Sequence, residues 1–149
     1  MTESEHDPLV FRLLTEIGII EQLARNHLER GLPDGLTMSQ FIVLNHMVRL
    51  GGAWSPRRLA NAFQVTKGAM TNTLKRLEGR ALVTVSADPD DGRGKLVTLT
   101  DAGLDMRQRC VESTGPMLAA ISRSFTDEEF AAVLPVLERI RIFLDANRA

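Results

Sequence analysis

A short strand–turn–strand pattern constrains the fold of this chain more than any other feature of its sequence. Val83 and Val85 precede the turn-forming residues 88–92, and Val97 and Leu99 follow them. β-Branched residues on both sides of a polar, glycine-containing turn are typical of a two-stranded β-hairpin. Most of the remaining apolar residues recur at helical spacing. The sequence therefore predicts a mainly α-helical fold with one small hairpin.

The helix boundaries follow from capping residues. A Ser, Thr or Asp side chain before a helix accepts hydrogen bonds from free backbone N–H groups, and proline is favoured at the first helical position. The fifth predicted helix should break at Gly115 and Pro116, and Pro135 should kink the last helix near Leu134. The first three predicted helices run from Asp7 as N-cap to Gly31, from Thr37 to about Arg49, and from Ser55 to a turn at residues 64–66. The last three run from Thr66 to about Glu78, from Thr100 to about Ser124, and from Thr126 to about Ala146. Gln40 and Glu129 are predicted to complete capping boxes with Thr37 and Thr126.

The first predicted helix carries a wide apolar stripe. Leu, Ile, Val and Ala recur near the 3.6-residue period from Leu9 to Leu28, and Ile19 widens the stripe further. A helix this apolar needs burial on more than one side. The sequence therefore predicts that a partner chain covers it.

Composition excludes several classes of protein. An apolar fraction of 44% in 149 residues is enough for a packed core. Cys110 is the only cysteine, which excludes an internal disulfide and a cysteine-based zinc site. His6, His27 and His46 are too scattered for a metal site, and no catalytic or nucleotide-binding motif occurs, so neither an enzyme nor a cofactor is expected. With no apolar run of membrane length and a polar N-terminus, the chain is predicted to be soluble and cytoplasmic.

The formal net charge of −1 conceals a basic segment. Residues 55–100 hold eight cations and four anions, a net charge of +4, whereas the rest of the chain holds ten cations and fifteen anions, a net charge of −5. Local potential, rather than net charge, attracts a polyanion. The segregated charge therefore favours nucleic-acid binding by residues 55–100.

Within the basic segment, two short helices joined by a turn match the helix-turn-helix pattern. Asn pairs with adenine, Lys with guanine acceptors and the Thr methyl with thymine in the major groove. The alternative is an ordinary amphipathic pair of helices whose solvated face is basic. The positions predicted to pack between the helices are Leu59, Ala60, Phe63, Val65 and Met70. The outward positions of the second helix are Lys67, Gly68, Thr71, Asn72 and Lys75, with Arg76 on the flank.

The tip of the predicted hairpin carries Arg93 and Lys95 between glycines. An arginine on a slim loop can enter a minor groove, where the potential is most negative when the groove is narrow. Asp91 is predicted to hold the Arg93 guanidinium through a charge-assisted hydrogen bond. The alternative is a solvated turn rich in aspartate.

Together these segments resemble the MarR family of winged helix-turn-helix transcription regulators. Residues 88–93 (DPDDGR) and 97–103 (VTLTDAG) are similar to the family's wing signature, DPxDxR followed by VxLTxxG. Residues 59–60, 70–72, 77–78 and 82–83 also stand where the family has its helix-turn-helix residues. The resemblance spans nearly the whole chain.

The resemblance implies a mainly α fold with a small β-hairpin wing. The winged helix-turn-helix DNA-binding region would comprise residues 37–100, and a helical dimerisation region would comprise residues 1–36 and 101–149, the two intertwined in a single domain. The family is also dimeric, which implies a homodimer that binds a double-stranded DNA operator. A small ligand or oxidation often changes DNA affinity in this family.

The chain departs from the family pattern at two positions. Gly92 replaces the first of two wing arginines, which removes one groove or phosphate contact. Ala81 stands where a glycine commonly precedes Leu-Val. The turn into the hairpin is therefore expected to be longer or more helical.

The resemblance also points to an effector site. The family's ligand pocket lies between the dimerisation helices and the DNA-binding region, so His46, Arg49 and Trp54 are predicted to contact a small aromatic or anionic effector. A structural role is the alternative for His46. Cys110 is the one candidate thiol switch, but a single cysteine on a helix is usually a small core residue.

The favoured function is a ligand-responsive repressor that binds a near-palindromic operator as a homodimer. Two alternatives remain open: a winged-helix module that binds an acidic protein, and a helical dimer that sequesters a small molecule without binding DNA. Phosphate contacts are predicted for Ser55, Arg57, Arg58 and Arg76, and base contacts for Lys67, Thr71, Asn72 and Lys75.

Overall fold

The computed structural model describes residues 3–148. A mainly helical fold with one hairpin is confirmed, and the chain divides into two compact units, the first ending at Ser113 and the second beginning at Thr114. The helices are α1 (Leu9–Gly31), α2 (Met38–Leu50), α3 (Pro56–Phe63), α4 (Lys67–Gly79), α5 (Asp101–Ser113), α6 (Gly115–Ser124) and α7 (Asp127–Ala146). The strands are β1 (Val83–Asp88) and β2 (Asp91–Leu99), and short 3-10 turns occupy Glu3–His6 and Pro33–Gly35.

Capping boxes start α2 and α7 where the sequence predicts them. The Thr37 hydroxyl accepts a hydrogen bond from the Gln40 N–H (3.2 Å), and the Gln40 side chain accepts one from the Thr37 N–H (3.4 Å). Thr126 and Glu129 form the same reciprocal pair before α7. Each box satisfies two backbone donors that have no partner inside the helix.

The start of α1 differs from the prediction. Pro8, rather than Asp7, occupies the N-cap position, and no side chain caps the helix by a hydrogen bond. Pro8 has an extended backbone (φ −54°, ψ 140°), which places Asp7 one residue too early to reach the free N–H groups of the first turn. The assignment of Asp7 as the N-cap is therefore wrong, although the end of α1 at Gly31 is confirmed.

The core of the first unit lies where α2, α3, α4 and β2 meet. Each of these elements contributes at least one fully buried aliphatic side chain: Leu44 on α2, Leu59 on α3, Leu77 on α4 and Val97 on β2. Met106 and Cys110 of α5 complete the same cluster. Each such side chain stabilises the fold by about 1.5–3 kcal/mol relative to exposure. The two short helices and the hairpin are therefore packed on one shared core.

Val65 does not join this core. Its side chain is 43% exposed, so its predicted inward position is wrong. Gln64 adopts a left-handed backbone (φ 52°), and the Val65 N–H donates to the Ala60 carbonyl (3.1 Å). This turn geometry directs Val65 to solvent before Thr66 starts α4.

The turn between α4 and β1 depends on a left-handed alanine. Ala81 has a φ of 56°, and the Leu82 N–H donates to the Leu77 carbonyl (3.0 Å), which closes the end of α4. Glycine normally occupies such a position because it has no Cβ to clash. α4 ends at Gly79 and β1 begins at Val83, and the left-handed Ala81 between them is accommodated as local backbone strain. A turn longer or more helical than the family's stays a prediction.

The start of α5 packs tightly against this turn. The Thr100 hydroxyl donates to the Ala81 carbonyl (2.7 Å) and accepts from the Gly103 N–H (3.0 Å), which confirms Thr100 as the cap of α5. A Cβ built on Gly103 would lie 2.1 Å from the Leu82 carbonyl oxygen and 2.7 Å from a methyl carbon of Leu99. Only glycine fits at this position.

The second unit consists of α6 and α7. The predicted interruption at Gly115 and Pro116 is confirmed, because α5 ends at Ser113 and a separate helix begins at Gly115. The last helix continues through Pro135. The kink near Leu134 stays a prediction.

Large apolar side chains are exposed on α1, α6 and α7. None of the residues described in these three helices is buried. Leu9 is 79% exposed and Leu23 66% on α1, and Phe143 is 65% exposed on α7. Extended apolar surface of this kind marks an interaction surface. Within residues 3–148, no helix has the length and hydropathy that a membrane span requires.

The close approach at Gly103 generates a stability prediction. We expect Gly103→Ala to lower the free energy of unfolding by about 3 kcal/mol, because the added methyl group collides with backbone that cannot move freely. Urea unfolding followed by circular dichroism at a fixed protein concentration measures this change.

Gly79→Ala is the matched control for this experiment. A Cβ on Gly79 would meet no atom within 4 Å, and this helical residue has no positive φ. Alanine there should leave stability unchanged or raise it by about 0.5–1 kcal/mol. If Gly103→Ala unfolds at the same urea concentration as wild type, the close contact with Leu82 does not exist in solution.

Candidate nucleic-acid interface

Two capped helices and a three-residue turn build the helix-turn-helix. The Ser55 hydroxyl accepts from the Arg58 N–H (3.1 Å) at the start of α3, and the Thr66 hydroxyl accepts from the Ala69 N–H (3.1 Å) at the start of α4. Gln64, in the left-handed conformation, ends α3. Both predicted caps and the predicted turn are confirmed.

The two sides of α4 differ in chemistry. Met70, Leu74 and Leu77 are buried against the core. The opposite side presents five exposed residues that line one shallow concave surface: Lys67, Gly68, Thr71, Asn72 and Lys75. The structure thus places together all five residues that the sequence predicts to face outward, and Arg76 is exposed beside them. We call these five residues the α4 face.

The α4 face offers donors, acceptors and a methyl group. Lys67 and Lys75 carry positive charge, and Asn72 carries both a donor and an acceptor on one amide. The Thr71 hydroxyl donates to the Lys67 carbonyl (2.9 Å), so its hydrogen is already used within the helix. Thr71 therefore offers a partner its methyl group and oxygen lone pairs. A polyanion with readable hydrogen-bonding edges fits this set of groups.

The hairpin pairs β1 with β2 in antiparallel register. Val83 pairs with Leu99 and Ala87 with Lys95, and beyond a register shift Asp88 pairs with Asp91. Pro89 and Asp90 therefore form the turn, and residues 92–94 bulge from the second strand. We call this hairpin the wing.

The wing differs from the sequence prediction in two respects. Arg93 lies on the bulge and Lys95 within the ladder, so the predicted placement of both at the tip is wrong, although both are exposed. The Asp91 carboxylate accepts from the backbone N–H of Arg93 (3.1 Å) instead of holding its guanidinium. Asp91 therefore shapes the bulge and leaves the Arg93 side chain available for a partner.

Trp54 connects the wing to the helix-turn-helix. Its backbone N–H donates to the Val97 carbonyl (2.9 Å), and the Val97 N–H donates to the Trp54 carbonyl (2.8 Å). The Trp54 indole N–H donates to the Gly51 carbonyl (2.8 Å), and the Arg58 guanidinium carbon lies 4.2 Å from the centre of the indole ring. No sequence pattern predicts this stacking, because Trp54 precedes α3 and shares no helical period with Arg58.

The structure brings His46 and Trp54 together. The two ring centres are 4.5 Å apart, and the His46 ring also lies 4.9 Å from that of Phe63, both in edge-on geometry. Burial lowers the pKa of His46, and the positive charges of Arg49 and Arg58 lower it further. Arg49 is exposed and influences His46 through its charge. Among the described residues, the buried His46 Nε2 has no hydrogen-bond partner.

Cys110 has the properties of a core residue. Its side chain is fully buried, and burial raises the pKa of its thiol. A reactive thiol needs exposure and a lowered pKa, because the thiolate is the nucleophile. The features of a redox switch are therefore absent at Cys110. Within residues 3–148, no cluster of three or more His, Cys, Asp or Glu side chains is placed to hold a metal ion.

The remaining predicted contacts lie around the same interface. Arg57 is exposed in the first turn of α3, next to Arg58, which is also exposed. Ser55 is half-buried, and its hydroxyl already caps α3. Ser55 thus orients the helix end, while the two arginines are accessible to a partner.

Known proteins share both the sequence and the fold. A family model described as MarR family matches residues 34–94. The multiple antibiotic resistance protein MarR of Salmonella typhimurium is 31% identical over 121 residues, which cover 80% of this chain and 81% of that protein.

Two crystal structures of a cysteine-to-serine mutant of MarR from E. coli are also similar. In the first, that protein is 30% identical with a TM-score of 0.72, and the match covers 90% of this chain and 96% of the other. In the second, the protein is complexed with operator DNA and is 28% identical, with a TM-score of 0.68. That match covers 90% of this chain and 99% of the other. Since the identity extends through the interface and over most of both proteins, this chain belongs to the MarR family of winged helix-turn-helix transcription regulators.

Proposed function

We propose that this chain is a ligand-responsive repressor that binds a near-palindromic DNA operator as a homodimer. The observation that carries the proposal is the exposed α4 face, held on the same rigid core as a wing with an accessible Arg93. The operator-bound relative has the same fold. A winged helix-turn-helix uses these two elements to contact adjacent grooves of one duplex.

Direct reading of bases falls to the α4 face. Asn72 would form a bidentate pair with adenine, the two lysines would bind guanine acceptors, and the Thr71 methyl would contact a thymine methyl. Gly68 adds no side chain near the start of α4, which permits close approach of the duplex. Together they supply sequence specificity.

Phosphate contacts supply register and most of the affinity. Arg57, Arg58 and Arg76 are exposed cations beside the α4 face, and Lys95 and Arg93 extend the basic surface along the wing. Ser55 acts by orienting the start of α3. Gly92 occupies the place of a second wing arginine. Arg93 therefore contributes a larger share of the wing's affinity for DNA than it would beside another arginine.

Two protomers would present two α4 faces to one duplex. In a two-fold dimer, helices in successive major grooves lie about 34 Å apart, which requires a near-palindromic operator. The exposed apolar side chains of α1 and of α6 and α7 support a dimerisation region at residues 1–36 and 101–149, joined to a DNA-binding region at residues 37–100. Burial of these side chains in a dimer would remove a large apolar surface from water.

A small aromatic or anionic effector would bind at His46, Arg49 and Trp54. The contact between the His46 and Trp54 rings and the neighbouring positive charges of Arg49 and Arg58 support an aromatic anion as the ligand class. An effector that favours one spacing of the two α4 faces over another would change operator affinity.

Substitutions at Asn72 and Arg93 distinguish the contribution of base contacts to DNA affinity from the contribution of positive charge. On a duplex selected from random-sequence DNA, Asn72→Ala should cost roughly 1–3 kcal/mol and relax one base position without changing the salt dependence. Arg93→Ala should weaken binding to all duplexes and reduce the slope of log affinity against log salt by about 1, because one phosphate or groove contact is lost. Fluorescence anisotropy over a salt series measures both effects.

Two variants control for indirect effects in the DNA-binding experiment. Glu78→Ala changes an exposed residue of α4 outside the α4 face and should not weaken binding. Arg93→Lys keeps the charge and should keep the salt slope. If Asn72→Ala and Arg93→Ala both bind as wild type, the assignment of these residues fails. If wild type binds an acidic protein but no duplex, the wing and α4 form a protein-interaction module.

The apolar face of α1 can be tested for dimerisation. Leu23→Asp places a charge on a side chain that is 66% exposed in the protomer, and burial of an unpaired charge at an interface is strongly unfavourable. We expect the variant to sediment as a monomer when wild type sediments as a dimer. Leu50→Asp is the control, since Leu50 is 55% exposed and ends α2, outside the three helices of the proposed interface. A Leu23→Asp dimer would contradict the proposed interface.

The effector site is tested through Trp54, which is the only tryptophan. Benzoate should change Trp54 fluorescence saturably, and Arg49→Ala should weaken this binding because the carboxylate loses a cation. Benzyl alcohol, which has a similar ring and no charge, should bind more weakly. A linear response without saturation would contradict the site, and benzoate binding without any DNA binding would indicate a protein that sequesters small molecules.

A further inference from the structure

The stack of Arg58 on Trp54 joins a predicted phosphate contact to the wing. The guanidinium carbon lies 4.2 Å from the centre of the indole ring, within the range of a cation–π interaction. Arg58 belongs to the first turn of α3, and Trp54 pairs with Val97 of β2. One side-chain contact therefore spans two elements of the DNA-binding surface.

Trp54 is held firmly enough to act as a platform. Its indole N–H donates to the Gly51 carbonyl (2.8 Å), and its backbone exchanges two hydrogen bonds with Val97 (2.9 and 2.8 Å). The His46 ring packs against the indole at 4.5 Å with an interplanar angle of 71°. Rotation of the indole would break the bond to Gly51 and the contact with His46.

Arg58 remains available to an anion while it is stacked. Within the part of the chain that the structure describes, no carboxylate forms an ion pair with Arg58, and its side chain is exposed. A guanidinium that stacks through its face keeps its N–H donors at the edge of the plane, where they match two oxygens of a phosphate. The free donors, and not the stacked face, would meet the ligand.

We propose that Trp54 is a positioning residue that holds the Arg58 guanidinium ready for a phosphate of the DNA backbone. The proposal rests on the proposed function and names one contact within it. An unrestrained arginine loses side-chain freedom when it binds, and a pre-stacked arginine has already lost much of it. Trp54 thereby strengthens DNA binding without touching DNA. Through Val97, it also keeps Arg58 in fixed relation to the wing.

A double-mutant cycle tests this role. The four proteins are wild type, Trp54→Leu, Arg58→Ala and the double variant, measured by anisotropy on the duplex selected from random-sequence DNA. Arg58→Ala should weaken binding about tenfold and lower the salt slope by about 1. Trp54→Leu should weaken binding about fivefold in the wild-type background and less than twofold in the Arg58→Ala background. Trp54→Phe keeps an aromatic face and should retain most of the affinity.

The outcomes separate positioning from a role in folding. If Trp54→Leu weakens binding equally in both backgrounds, or if Trp54→Phe is as weak as Trp54→Leu, Trp54 acts through the fold alone and the proposal is overturned. Thermal unfolding of each protein in the cycle identifies variants that have lost the fold. If wild type binds no duplex, both the proposed function and this inference fail. If wild type binds and the cycle shows no coupling, only this inference fails.

Discussion

Two backbone hydrogen bonds between Trp54 and Val97 join the wing to the start of α3. A two-stranded hairpin is marginally stable by itself in water, so it needs such an attachment. The Val97 side chain is fully buried in the core that also receives Leu59 of α3 and Leu77 of α4. The α4 face and the wing are therefore parts of one packed body, and their spacing depends on the core and on this bridge more than on the loops.

The turn after α4 places a second constraint on the same body. Ala81 adopts a left-handed backbone there, and Gly103 brings α5 against the Leu82 carbonyl with no room for a side chain. The family-like VTLTDAG segment consequently has a physical explanation: Thr100 caps α5 and anchors it to Ala81, and the glycine permits the contact. The position of α5 is thus determined by the same residues that start the hairpin.

The chain has two exposed surfaces, one basic and one apolar, and each favours a different kind of partner. The exposed cations of α3, α4 and the wing favour a polyanion, whereas the exposed side chains of α1, α6 and α7 favour another apolar surface. Trp54 belongs to both the proposed effector site and the Arg58 stack. An aromatic ligand on the indole face would therefore compete with Arg58, which would link the proposed effector site to the proposed phosphate contact.

The sequence by itself determined the features that depend on neighbouring residues: the capping boxes, the break at Gly115 and Pro116, the buried stripe of α4 and the membership of its outward face. Only the tertiary structure decided which way Val65 points, where Arg93 lies on the wing, what Asp91 binds and that Arg58 stacks on Trp54. Capping and helical period act within one or two turns of chain, whereas strand register, bulges and ring stacking depend on contacts between segments distant in sequence. The same reason explains why the exposed residues of α4 were predictable and the geometry of the wing and of the Arg58 stack was not.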